Sequence, residues 1–147
     1  MKKLKLSLAC IFLCTATAFA NIEINEINFP DENFRNWILE HFWGRNVITD
    51  TEIANVTRIE VRNKNIEDLT GIQFFTNLTR LSVSYNQLTN LDVSNLTNLE
   101  ELFVWGNQLT SLDVSNLVNL TRLDIGRNQF KSIDVSNLLN LTTLNIT

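Results

Sequence analysis

Three carboxylates stand 21 residues apart, at Asp92, Asp113 and Asp134, and each is followed two places later by a serine, at Ser94, Ser115 and Ser136. Acids beside hydroxyls could serve acid–base or nucleophilic chemistry if a base or a second acid shared their pocket. The chain supplies little to complete such a site. It has one histidine, His41, and its two cysteines, Cys10 and Cys14, both fall within the first twenty residues. A zinc-type site therefore lacks partners. Asp50 and Glu52 raise the question of calcium, but Arg45, Asn46 and Thr49 stand where a calcium loop needs alternating oxygens. No catalytic residue, metal ligand or cofactor is assigned, and the constant spacing makes the repeated acids part of a scaffold.

Other residues keep the same step. Leucine recurs at Leu81, Leu102, Leu123 and Leu144, again at Leu78, Leu99, Leu120 and Leu141, and asparagine at Asn86, Asn107 and Asn128. Helices and strands repeat every few residues, so three series locked at this longer period mark a leucine-rich-repeat solenoid. The unit Leu81-x-Val83-x-x-Asn86-x-Leu88 returns from Leu102 and from Leu123, the last with Phe130 in the final place. Ile59-x-Val61 precedes it by 22 residues, with Lys64 at the asparagine position, and Leu144-x-Ile146 forms a last strand. Residues 58–147 thus hold an irregular first unit, three complete units and a partial last one, giving five parallel strands.

Each position has a physical role. Alternating Leu and Val of a strand face the core. The asparagine satisfies backbone groups where the chain turns out of the strand. On the return limbs 91–96, 112–117 and 133–138, Leu or Ile, Val and Leu point inward while Asp and Ser make local turn bonds. The sequons Asn77-Leu78-Thr79 and Asn119-Leu120-Thr121 are by-products of the repeat.

Residues 21–57 lack the period. Phe34, Trp37, Ile38, His41 and Phe42 fall on one face of a helix that opens at Pro30 and Asp31 and stops at Gly44. Thr49-Asp50-Thr51-Glu52 is a capping box for a short second helix carrying Ile53 and Val56. This pair reads as an N-terminal cap over the first repeat's core, with His41 a packed or rim residue.

Residues 1–20 read as a secretory signal peptide: Lys2, Lys3 and Lys5, an apolar run, then Ala18-Phe19-Ala20 as a cleavage site. Leu13 before Cys14 and Ser7 near Cys10 do not fit a lipid-attachment site. Removing this leader takes three lysines and no acid, moving the formal charge from −4 to −7. An acidic domain argues against nucleic acid as a partner. No second long apolar stretch follows, so no integral membrane segment is expected after signal removal. Secretion or display at the cell surface is expected, with the periplasm as the alternative destination.

The tandem Leu-Asp-Val-Ser-Asn units resemble bacterial leucine-rich-repeat proteins of the internalin-like, 21-residue class. So does the entry segment, from Asn28-Phe29-Pro30-Asp31-Glu32-Asn33-Phe34-Arg35 through Leu69-Thr70-Gly71-Ile72. The resemblance implies a right-handed α/β solenoid with a parallel concave sheet and a helical N-terminal cap. It further implies an exported, non-enzymatic module whose concave sheet binds another macromolecule in adhesion or host contact. Related proteins usually carry more repeats, and often a C-terminal anchoring region that this sequence does not show.

Stacking the strands sorts the outward side chains into columns. One holds Arg58, Arg80, Glu101, Arg122 and Thr143; the next Glu60, Ser82, Phe103, Asp124 and Asn145. The third holds Arg62, Ser84, Trp105, Gly126 and Thr147, with Tyr85, Gly106 and Arg127 beside it. Arg80, Ser82, Tyr85, Glu101, Phe103, Trp105, Arg122, Asp124 and Arg127 are the candidate ligand-binding residues. Aromatics flanked by arginines suit a protein hot spot, and aromatic platforms also leave a glycan ligand open. Leu141, Leu144 and Ile146 lack a following turn, which admits a truncated or partner-capped fragment or end-to-end self-association.

Overall fold

The computed structural model describes residues 21–147, so the leader expected over 1–20 lies outside the described residues. The chain order is β1 (Ile22–Glu23), α1 (Glu32–His41), β2 (Val47–Ile48), α2 (Asp50–Asn55), β3 (Arg58–Glu60), β4 (Arg80–Ser82), β5 (Glu101–Phe103), β6 (Arg122–Asp124) and β7 (Thr143–Asn145). Strands β3 to β7 pair in parallel in sequence order, which makes a solenoid of four turns from first strand to last. Arg58 pairs with Arg80, Arg80 with Glu101, Glu101 with Arg122 and Arg122 with Thr143, the register expected from the period.

Parallel strands need a long return. Here it is an irregular limb tightened by repeated short turns: Leu96 N–H reaches Val93 O and Leu99 N–H reaches Leu96 O, both at 3.0 Å, and the pattern recurs at Leu117 and Leu120 and at Leu138 and Leu141. The limb's carboxylates are spent locally. Asp92, Asp113 and Asp134 accept the backbone N–H of Ser94, Ser115 and Ser136, each at 2.9 Å. Those contacts hold all three carboxyls below the usual range, led by the serine side chain for Asp92 and Asp113 and by its backbone N–H for Asp134.

The asparagines close the turns out of the strands. Asn86 donates to Val61 O and Val83 O and accepts from Lys64 N–H and Ile66 N–H. Asn107 donates to Val83 O at 3.0 Å and Val104 O at 2.9 Å and accepts from Leu88 N–H at 3.1 Å. Asn128 repeats this with Val104, Ile125 and Leu109. A second ladder runs along the return limbs. Asn77, Asn98, Asn119 and Asn140 donate to Ala54, Thr76, Thr97 and Val118 carbonyls, each at 3.0 Å. The sequon asparagines Asn77 and Asn119 thus hold adjacent turns together, a role the spacing alone did not assign to them.

Both helices form where capping and periodicity place them. Thr49 and Glu52 make the reciprocal capping box of α2. In α1 the N-cap is Asp31, which accepts Phe34 N–H at 2.8 Å, so Pro30 lies before the cap and outside the first turn. The other Asp31 oxygen accepts Glu67 N–H at 2.8 Å, tying α1 to the first return limb. His41 is exposed and stacks on Trp37 with ring centroids 3.6 Å apart. The β1–β2 pair was not anticipated, because two-residue strands carry no readable period.

One apolar core runs from Phe29, Phe34 and Ile38 through Leu81 and Leu102 to Leu123. Phe29 packs edge to face on Phe74 at 5.8 Å, and Phe42 stacks on Phe75 at 6.4 Å, joining the helical segment to the repeats. Gly71 sits at φ 107, where an added Cβ would lie 2.2 Å from the Phe29 ring.

Replacing Asn107 by Ala should leave the inward Leu88 N–H unmet, while Val83 O and Val104 O keep Asn86 and Asn128 as donors. For that one buried group the expected loss in urea unfolding is about 1–3 kcal/mol. A loss below about 1 kcal/mol would remove the ladder from the account. A second outcome concerns acid. The Thr49 backbone N–H, aided by Arg45, holds Glu52 down to about 2 from 4.5, so its stabilising effect is complete above 4.5 and is lost as pH falls towards 2. Glu52→Gln should therefore flatten the decline of Tm over that window, and parallel declines in both chains would refute the assignment.

Candidate functional site

Each strand's middle residue faces the core, so its neighbours face outward. Four backbones at the turn out of the sheet take the left-handed conformation: Asn63 at φ 54, Tyr85 at φ 59, Gly106 at φ 68 and Arg127 at φ 48. Glycine is the ordinary occupant of such a position. Placing Tyr85 and Arg127 there costs about 1–2 kcal/mol each, which singles them out from scaffold residues.

Across β3 to β6 runs an ion ladder. Arg80 Nε donates to Glu60 at 2.8 Å, another Arg80 nitrogen pairs with Glu101, and Arg122 lies 3.4 Å from the second Glu101 oxygen. Burial opposes the charge on both Arg80 and Glu101, yet their contacts outweigh it, raising Arg80 and holding Glu101 low. Arg80 is therefore neutralised from two sides.

Behind this ladder stand the aromatics. Tyr85 and Trp105 contact at 4.5 Å between centroids, tilted by 49°. Every one of the three rings carries a guanidinium: Arg80 lies 4.6 Å from the centroid of Phe103, Arg127 4.5 Å from Trp105 and Arg62 5.5 Å from Tyr85. Phe103 and Trp105 are half-buried, whereas Tyr85 is 49% exposed. Trp105 is also a structural clip. Its indole N–H donates to Thr147 O at 3.1 Å, and it crosses Gly126, where an added Cβ would lie 2.7 Å from the ring.

These side chains enclose a depression of about 310 Å³ lined by Arg62, Arg80, Ser84, Phe103, Trp105 and Asp124, together with Ser82 and Tyr85. Ser82 and Ser84 are only 3% exposed and form its floor. The nine expected residues fall on one contiguous face. Arg80, Ser82, Tyr85, Phe103, Trp105 and Asp124 line the depression, Glu101 and Arg122 stand in the ladder, and Arg127 covers Trp105. Arg62 and Ser84 were in the columns but not among the expected site residues. The signal that could have found Arg62 is its place in the same column as Trp105, beside Tyr85.

A wider depression of about 590 Å³ lies among return-limb residues including Glu67, Asp68, Thr89 and Asp92, with no basic or aromatic side chain in its lining. Among the described residues no group of three or more His, Cys, Asp or Glu is placed to hold a metal ion, and no helix is long and apolar enough to cross a membrane.

Family models for leucine-rich repeats match residues 76–118, as two copies, and 119–141. Internalin J of Listeria monocytogenes is 40% identical over 68 residues, 45% of this chain and 7% of that protein. Internalin C of the same species is 36% identical over 66 residues, 42% of this chain and 22% of that protein. The chain thus spans a small part of the length of these relatives. Among solved structures, the functional domain of InlJ from L. monocytogenes superposes with a TM-score of 0.82 at 36% identity, over 90% of this chain and 30% of that one. An L. monocytogenes internalin (inlF) gives 0.78 at 28% identity, over 86% of this chain and 38% of that one. The InlJ domain includes a cysteine ladder, whereas residues 21–147 here contain no cysteine and ladder through asparagine. The shared 21-residue repeat, the parallel register and these likenesses mark the chain as a leucine-rich-repeat solenoid similar to the bacterial internalins.

Proposed function

We propose that this chain is an exported recognition module that binds a protein on a host or neighbouring-cell surface through the outer face of its β3–β7 sheet. In this reading residues 21–57 cap the first turn and residues 58–147 present the binding face. The leader-like residues 1–20 deliver the module to secretion or the cell surface.

One observation carries the reading. Tyr85, Phe103 and Trp105 break a repeating pattern at neighbouring places and gather around one depression on the outward face. Aromatic and arginine side chains around a partly desolvated centre are what interface hot spots are made of. The repeated Asp, Ser and Asn residues, by contrast, are spent on turns and ladders. Recognition, and not catalysis, is the chemistry this leaves. Relatives named as internalins are consistent with a protein partner.

The purified chain, fluorescently labelled, should bind intact target cells, and binding should fall at least tenfold with Tyr85→Ala/Phe103→Ala. Protease treatment of the cells should abolish binding, while removal of surface glycans should not. Equal binding by the double variant would sink the proposal. Trp105→Ala is a poorer probe, because losing the clip should itself lower stability by about 1–3 kcal/mol. A chemical-denaturation midpoint unchanged by Trp105→Ala would contradict the clip.

A further inference from the structure

Every aromatic ring in the cluster lies under a guanidinium, so it is the arginines that meet an arriving partner. A sugar ring that stacks needs an open aromatic face. A planar guanidinium held over a ring keeps its N–H edge free to fork onto a carboxylate. The three arginines are not equivalent. Arg80 spends its N–H groups on Glu60 and Glu101. Arg62 and Arg127 are exposed, and among the described residues neither makes an ion pair. Arg127 moreover occupies, at φ 48, the left-handed turn position that the preceding repeat fills with Gly106, so its side chain is placed there at a backbone cost.

Resting on the sheet-face reading above, we propose that Arg62 and Arg127 are paired receptors for two carboxylates of an extended acidic protein segment that crosses the strands over Tyr85 and Trp105. Arg62 follows β3 and Arg127 follows β6, three strand spacings apart, or about 14 Å. An extended segment covers about 13 Å in four residues, so acidic residues at positions i and i+4 fit. Ser82 and Ser84 floor the space between them, small enough to admit the intervening side chains. Charge selects the partner further. A domain of formal charge −7 over residues 21–147 repels a dense polyanion but tolerates two isolated carboxylates on two unspent arginines.

The test uses the purified chain and the peptide acetyl-Glu-Thr-Val-Thr-Glu-amide, with its Gln-Thr-Val-Thr-Gln counterpart, in calorimetric or NMR titrations. The Glu peptide should bind at least tenfold more tightly than the Gln peptide. Arg62→Gln/Arg127→Gln should erase that preference, while Arg58→Gln, an exposed arginine of the same sheet with no ring beneath it, should keep it. Equal binding of the two peptides, no binding of either, or tighter binding of a heparin octasaccharide would each overturn the proposal. Its failure is separable from that of the broader reading. If Tyr85→Ala/Phe103→Ala abolishes cell binding and Arg62→Gln/Arg127→Gln does not, the sheet face stands and the paired receptors fall.

Discussion

A parallel strand of three residues cannot satisfy its own ends. Where each chain segment leaves the sheet, inward carbonyl and N–H groups lose their ladder partners, and leaving them unmet costs about 1–3 kcal/mol apiece. The side chains of Asn86, Asn107 and Asn128 meet that constraint, each bridging its own turn to the previous one. Because the bonds cross from one turn to another, they also enforce register. Leu81 lies over Leu102 and Leu102 over Leu123, and the core becomes a stack of equivalent layers.

That division of labour determines what the outer face can do. Leu, Val and Asn hold the scaffold, and Asp and Ser close the return limbs, so outward positions are free to vary from one repeat to the next. The variation is not scattered. A small pair, Ser82 and Ser84, lies beside a large pair, Phe103 and Trp105, of the next repeat, which creates relief on the outward face. Trp105 can lie flat only because Gly126 is beside it. The arginines then cover the rings, turning an apolar patch into one that offers aromatic surface and oriented positive charge together.

Much of this was legible because a solenoid's pairing is a translation along the sequence. Once Leu81, Leu102 and Leu123 fix the step, every column follows, and the expected pairs of Arg80 with Glu101 and Ser82 with Phe103 are the observed ones. Side-chain direction was not legible. Nothing in the spacing says that Trp105 reaches Thr147, or that Tyr85 lies between Arg62 and Trp105, since these depend on neighbours in three dimensions. The helical segment before the repeats was readable where helical signals are strong, as at Thr49 and Glu52. It was not readable where Asp31 binds Glu67 N–H across 36 residues.

The central claim is that the sheet face, at Tyr85, is where a protein partner rests. A photo-crosslinking residue, p-benzoylphenylalanine, in place of Tyr85 places a reactive group directly there, and the same residue in place of Leu139, 90% exposed on the return limb, supplies the comparison. On intact target cells the account predicts a discrete protein adduct from position 85 and none from position 139. Adducts from position 139 alone, or of equal yield from both, would contradict it.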